Sequence, residues 1–278
     1  MNNAKTLLPI GIFDSGIGGI TVLAEIIKIL PCEQFIYFAD TLHSPYGTKP
    51  EETVRTLSIH AANFLSQLGI KAMVVACNTA TGAAINELRK ICDFPVIGME
   101  PAIKPAVELG RRGKILVMAT PLTLNSRKFN ELSRQYQPLT EIVPLPCKGL
   151  VEIIEQGSTH KEKITDYLTA LFASINKENV SAIVLGCTHY VLIKKEIIKL
   201  LGNDVAVIDG NYGTAKRLKN ILQMENLLRP AHEDPSRFQK KIQVQFYLSD
   251  NSDNKEKEIK KCRAIFAQLL QNDGIVCE

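Results

Sequence analysis

Ala72-Met73-Val74-Val75-Ala76-Cys77-Asn78-Thr79 and Ala182-Ile183-Val184-Leu185-Gly186-Cys187-Thr188-His189 are two versions of one pattern. Each is a short apolar run, then a cysteine, then small polar residues that lead into a helical period. A run of that length, rich in Val and Ile, reads as a strand buried on both faces of a parallel sheet. Each cysteine therefore stands at the carboxyl end of a strand, where open α/β sheets bind their ligands. Two thiols at equivalent points of two half-chains can face one substrate from opposite sides. That arrangement suits a reaction that removes a proton from one face of a carbon and returns it on the other.

Strands and helices alternate outward from these two points. In the first half, Ile10–Phe13, Phe35–Ala39, Ala72–Ala76 and Pro95–Gly98 read as strands. Helices are expected near Gly19–Leu30, Glu51–Leu68 and Ala80–Ile91; the second of these carries Val54, Leu57, Ala61, Phe64, Leu65 and Leu68 at helical spacing. The second half repeats the scheme. Its strands are Ile115–Ala119, Glu141–Leu145, Ala182–Gly186 and Val205–Ile208, and its helices Leu124–Tyr136, Leu150–Gln156, Ile164–Asn176 and Tyr190–Leu201. Asp14 precedes Cys77, and Thr120 precedes Cys187, by nearly equal stretches. A third part holds a helix over Tyr212–Leu227, a loop through His232–Pro235, an alternating strand at Ile242–Leu248 and a helix over Lys255–Leu270. A lone helix–strand–helix buries too little to stand alone, so it is expected to pack back onto the first half. The expected fold is α/β: two similar doubly wound domains with mainly parallel sheets, related by a pseudo-two-fold, with the active site in the cleft between them. The first domain is discontinuous, 1–98 plus 210–278, and the second is 99–209.

Composition fits that architecture. A chain of 278 residues has room for about two domains, and its 45% hydrophobic and 22% charged residues are ordinary for a globular protein. The net charge of +4 is mild, and Lys194-Lys195 and Lys240-Lys241 read as solvated faces rather than a nucleic-acid arm. No apolar run reaches the ~18 residues of a membrane span, and the segment from Met1 to Lys5 leads into no signal-peptide core. The chain is expected to be cytoplasmic, without membrane or nucleic-acid partners. Its seven cysteines, Cys32, Cys77, Cys92, Cys147, Cys187, Cys262 and Cys277, contain no Cys-x-x-Cys pair, which excludes zinc-ribbon and thioredoxin-like spacings. Free thiols follow, with Cys32, Cys92 and Cys262 serving as small buried hydrophobes.

Three motifs accompany the paired cysteines. Phe13-Asp14-Ser15-Gly16-Ile17-Gly18-Gly19 follows a strand and opens a helix, the position of a phosphate loop. It fits neither Gly-x-Gly-x-x-Gly, because Thr stands at position 21, nor the Walker pattern. Its glycines instead let the backbone approach a small anion such as a carboxylate, with Asp14 beside Cys77 as base or orienter. Pro45-Tyr46-Gly47 lies in a loop at the same sheet edge. His189 follows Cys187 by two residues, and a nearby His can lower a cysteine pKa.

Asp14-Ser15-Gly16-x-Gly18-Gly19, Pro45-Tyr46-Gly47, Ala76-Cys77-Asn78-Thr79-Ala80 and Gly186-Cys187-Thr188-His189-Tyr190 together resemble the signature motifs of the glutamate racemases, in order and spacing, over nearly the whole chain. The resemblance implies a bacterial, cofactor-independent enzyme that interconverts L- and D-glutamate and supplies D-glutamate for peptidoglycan, with no metal. It implies Cys77 and Cys187 as the two bases, acting on D- and L-glutamate respectively, with Asp14 assisting Cys77 and His189 assisting Cys187. Asp14, Ser15, Tyr46, Gly47, Asn78, Thr79, Thr188 and His189 would hold the substrate. Thr120 and Thr123, in Ala119-Thr120-Pro121-x-Thr123, are similar to a further binding element at the mirrored first strand. The family also places a glutamate on the helix before the second cysteine strand; Glu152 and Glu155 both qualify, and spacing to Cys187 favours Glu155. Glutamate and, as in many family members, a second copy of the chain are the partners implied. Asp209-Gly210 departs from the family, which has Ser after the Asp. An aspartate or hydantoin racemase, and a non-catalytic thiol protein or redox sensor, are the rival readings. The Pro-Tyr-Gly loop and His189 favour glutamate, and no resolving cysteine adjoins either thiol.

Overall fold

The computed structural model describes residues 3–157, 161–173, 175, 179–230, 244–250 and 255–271. Its strands are β1 Ile10–Asp14, β2 Phe35–Ala39, β3 Ala72–Val75, β4 Val96–Gly98, β5 Lys114–Ala119, β6 Ile142–Pro146, β7 Val180–Leu185, β8 Ala206–Asp209 and β9 Val244–Leu248. They form two sheets, and every pairing among the described residues is parallel. The first sheet runs β4-β3-β1-β2-β9; the second, from one edge, runs β8-β7-β5-β6. The first four strands of each share one order. β3 and β7, which precede Cys77 and Cys187, hold equivalent places beside β1 and β5.

Helices cover both faces of each sheet, so the central strands are buried throughout. Ile20–Ile29, Asn211–Met224 and Lys255–Gln271 pack on one face of the first sheet; Glu51–Gln67 and Asn78–Ile91 pack on the other. β9 adds to β2 at the sheet's edge, where half-burial explains its alternating sequence. The first lobe is thus completed by the C-terminal part of the chain. In the second lobe, Leu150–Glu155, Lys161–Phe172 and Lys194–Leu201 cover one face, and Ile103–Glu108 with Arg127–Tyr136 the other.

Several helices differ from the sequence reading. The expected helix over Leu124–Tyr136 is two, Pro121–Asn125 and Arg127–Tyr136. Ser126 adopts an extended ψ of 146° and its Oγ accepts from the Phe129 amide at 3.2 Å. Its hydroxyl thus caps a new helix instead of continuing the old one. Tyr190–Leu201 likewise divides into Thr188–Val191 and Lys194–Leu201. Ile103–Glu108 is a helix that the sequence reading lacks; Pro105 argues against one, yet a proline in the first turn costs no helical hydrogen bond. The Tyr212–Leu227 helix ends at Met224. Residues 176, 232–235, 242 and 277 lie outside the described residues.

At the edge opposite the cysteines, Lys71 and Glu33 form an ion pair of 2.5 Å, with side chains 0% and 2% exposed. Lys71 also donates to the Thr6 carbonyl at 2.7 Å, and the Arg229 amide donates to Glu33 at 2.9 Å. The cluster therefore ties the start of β3 to Thr6 near the N-terminus and to the segment that follows the Asn211–Met224 helix. Lys71→Met should destabilise the fold by about 3 kcal/mol, because Glu33 keeps a buried charge with weaker compensation. Urea melts check this, and Lys71→Met with Glu33→Leu should recover much of the loss.

Candidate active site

The carboxyl ends of the two sheets face each other, and every motif of the sequence reading meets there. Asp14 ends β1; Cys77 caps the helix after β3; Thr120 caps the helix after β5; Cys187 follows β7. Both thiols are buried and free. Ser15, Pro45, Tyr46, Gly47, Cys77, Asn78 and Thr79 from the first lobe, with Thr120, Val151, Cys187, Thr188 and His189 from the second, line one cavity. Its volume is about 10 Å³, room for about one water molecule.

Glycines allow this closeness. A Cβ on Gly18 would lie 2.4 Å from Thr188 Oγ1 and 2.6 Å from the His189 amide nitrogen; one on Gly47 would lie 2.4 Å from Thr120 Cβ. The chain passes between lobes near residues 99–101 and 209–211, and a Cβ on Gly210 would approach the Glu100 carbonyl to 3.0 Å. At about 10 Å³, the closed cavity admits no ligand larger than water.

The Cys77 side is built around an acid. Fully buried Asp14 accepts from the Gly16 amide at 2.9 Å and from Thr188 Oγ1, across the cleft, at 3.1 Å. Burial pushes its carboxyl above the usual range, while His189 and these hydrogen bonds oppose the shift. Cys77 Sγ accepts from the Ala80 amide at 3.4 Å and lies 3.6 Å from Ser15 Oγ. Burial first, and then the charge of Asp14, push its thiol up to about 12. The acid therefore does not act by stabilising a Cys77 thiolate electrostatically. It makes that thiolate, once formed, a stronger base.

The Cys187 side is built around a base. Its Sγ lies 3.9 Å from His189 Nδ1, and His189 Nε2 lies 2.8 Å from Glu155 Oε1. Burial alone would push the His189 imidazole down; hydrogen bonds to Cys187 and Glu155 outweigh it and hold the imidazole well above its usual value. Burial would raise Glu155, but the His189 contact and the charge of Lys261 leave it below the ordinary carboxylate range. Glu152 accepts none of these bonds. It lies on a second cavity with Glu155, Ser44 and Lys261.

The substrate candidates divide between hydroxyls and an amide. Thr79 bonds Thr120 and Thr123 across the cleft at 2.9 and 3.0 Å, and those two bond each other within the second lobe at 2.9 Å. Asn78 Nδ2 donates to the Met99 carbonyl at 3.4 Å, but its Oδ1 is buried without a hydrogen-bond partner. Tyr46 lines the cavity and donates to Asp40 at 2.5 Å, so its hydroxyl hydrogen is committed. Asp40, Ser44 and Lys261 are given no site role by the sequence reading. Asp40 had a signal, as an acid at the carboxyl end of a strand; Ser44 and Lys261 had none. No cluster of His, Cys, Asp and Glu among the described residues has the makings of a metal site. No described helix is long and apolar enough to cross a membrane.

Comparison with known proteins gives consistent matches. A profile of the Asp/Glu/Hydantoin racemase family matches residues 22–218. The chain is 52% identical over 218 residues to a glutamate racemase of Clostridium novyi, covering 78% of this chain and 84% of that one. It superposes on the glutamate racemase of Francisella tularensis in complex with D-glutamate with a TM-score of 0.77 and 32% identity, covering 96% and 94% of the two chains. The Escherichia coli glutamate racemase in complex with L-glutamate and the activator UDP-MurNAc-ala gives a TM-score of 0.77 at 27% identity, covering 92% and 95%.

The His189–Glu155 pair sets a pH window. His189, raised above 6.5, contributes stability that is complete below the unfolded value and fades as pH rises through the folded one. Glu155, lowered from 4.5, contributes stability above its unfolded value that is lost as pH falls through the folded one. Glu155→Gln should therefore bring the His189 pKa down, as burial then meets fewer opposing partners. NMR titration of the imidazole measures this; an unmoved pKa would show that Glu155 does not hold the proton.

Proposed function

The chain belongs to the glutamate racemases, within the Asp/Glu/Hydantoin racemase family, and from that premise we propose that it interconverts L- and D-glutamate by passing the Cα proton between Cys77 and Cys187. The observation that carries this reading is a pair of buried free thiols, one at the carboxyl edge of each sheet, lining one cavity. We take 1–98 with 210–278, and 99–209, as the two domains that bring them there.

One thiolate takes the proton and becomes a thiol, and the electron pair stays on Cα, delocalised into the carboxylate. The opposite thiol gives its proton to the other face and becomes the thiolate. Atoms and electrons balance, and the enzyme is left poised for the other hand of substrate. A Cys77 thiol held near 12 gives a strong conjugate base for a weakly acidic proton. The cost of forming that thiolate is offset by a substrate ammonium close to Asp14. The partnerless Asn78 Oδ1 supports a donor such as that ammonium. Thr79, Thr120 and Thr123 would exchange their mutual bonds, and Ser15 and Thr188 their contacts with Cys77 and Asp14, for bonds to the carboxylates, with stabilisation growing as negative charge develops. Closure to the small cavity keeps water from quenching the carbanion. Relatives have been seen with D-glutamate and with L-glutamate bound, which supports a site that accepts both hands. The enzyme would need no cofactor, act in the cytoplasm and supply D-glutamate to peptidoglycan synthesis.

A chiral assay with glutamate and aspartate tests the activity. Glutamate should racemise from either hand, and turnover of aspartate alone would overturn the reading. Cys77→Ser and Cys187→Ser should each cut racemisation by about a thousandfold, whereas Cys32→Ser and Cys92→Ser should retain it. Near wild-type racemisation by either of the first two variants would remove that thiol from the mechanism.

A further inference from the structure

Glu155 is held from both lobes. It is the last residue of the Leu150–Glu155 helix in the second lobe, so its carbonyl is one of the acceptors a helix end leaves unpaired. Lys261, on the C-terminal helix that packs against the first sheet, donates to that carbonyl at 2.7 Å. Ser44, in the loop after β2, offers its hydroxyl to the Glu155 carboxylate at 3.3 and 3.4 Å. The backbone of Gly16 closes the niche, since a Cβ there would lie 2.1 Å from Glu155 Oε1. Tyr37 fixes that glycine by donating to its carbonyl at 2.7 Å. The contacts of Glu155 with Lys261, Ser44 and Gly16 cross the cleft, whereas its bond to His189 stays within the second lobe.

From this geometry we propose that Lys261 and Ser44 are positioning residues that hold Glu155 against His189, so that the support of Cys187 is complete only when the lobes are closed. The proposal rests on the racemase reading and adds a coupling to it. When the lobes part, Glu155 loses its Lys261 cap, its Ser44 bond and its Gly16 wall together, and His189 loses a fixed partner. Thiol activation at Cys187 is thereby confined to the state in which the substrate is sealed from water. Lys261 carries more of the effect than Ser44, because its bond is short and charge-assisted while those of Ser44 are long.

The test uses Lys261→Met, Ser44→Ala and Lys261→Arg in the full chain, with His189→Asn and Asp14→Asn as references. Racemisation kinetics and isotope effects with 2-deuterated L- and D-glutamate are measured, and thermal melts report folding. Impairing one face makes transfer there more rate-limiting, so the isotope effect rises for one hand of substrate and falls for the other. Lys261→Met should lower kcat about tenfold with KM within about twofold, a barrier increase of about 1.4 kcal/mol. It should also move the two isotope effects in the sense of His189→Asn and opposite to Asp14→Asn. Ser44→Ala should move them the same way by less, and Lys261→Arg should restore the wild-type values. A well-folded Lys261→Met with wild-type kcat and isotope effects, or with a raised KM alone, would overturn the proposal. So would isotope effects that change in the same sense for both hands, since the loss in kcat/KM itself must be equal in the two directions. If Lys261→Met does not fold, unchanged isotope effects in Ser44→Ala overturn it instead. Failure of the unaltered protein to racemise glutamate would overturn the activity itself, a result distinct from all of these.

Discussion

The close approach of two strand-end loops, 15–19 from one lobe and 187–189 from the other, is the constraint on which the rest depends. Gly16 and Gly18 have no room for a Cβ there. Because they lack one, Thr188 reaches Asp14 and the Glu155 carboxylate reaches His189 beside the first lobe's backbone. Repeating one strand order in both sheets brings the second thiol to the place that mirrors the first. The duplication supplies symmetry of position, and the glycines turn it into contact.

Symmetry of position is not symmetry of chemistry. Cys77 has an anion and a serine hydroxyl beside it; Cys187 has a histidine backed by a glutamate. A single buried site with one acid side and one basic side can pass a proton in either direction, provided the sum of the two halves is balanced. Asp14, Glu155 and the threonine triad are each completed by a residue of the opposite lobe; in the proposed reaction the bonds of Thr188 and the triad give way to substrate, while those that hold Glu155 stay. On the proposed coupling, closing over the substrate and completing the support of Cys187 are one motion.

The central strands were legible because burial on both faces leaves an unbroken apolar run, and β9 was legible because an edge strand alternates. The break at Ser126 was not, since an apolar period continues across it while a hydroxyl cap ends the helix. The matched surroundings of Cys77 and Cys187 made the thiols visible in the sequence. Spacing to Cys187 favours Glu155 over Glu152, three residues earlier on the same helix, and the contact with His189 is made by Glu155. Lys261 stands 106 positions from its partner on a helix whose pattern reports only how it packs, and Ser44 sits in a loop with no period at all. Contacts made by closure of two lobes leave no local trace in a chain.

The account's central claim is that two different groups handle the proton on the two faces of Cα. Its most direct test is racemisation of each hand of glutamate in deuterium oxide, followed early by NMR and chiral separation. The prediction is that the product enantiomer carries deuterium at Cα while the recovered substrate remains almost wholly protonated, whichever hand is supplied. Comparable deuterium in recovered substrate and product from the first turnovers would mean that one base serves both faces, and would contradict it.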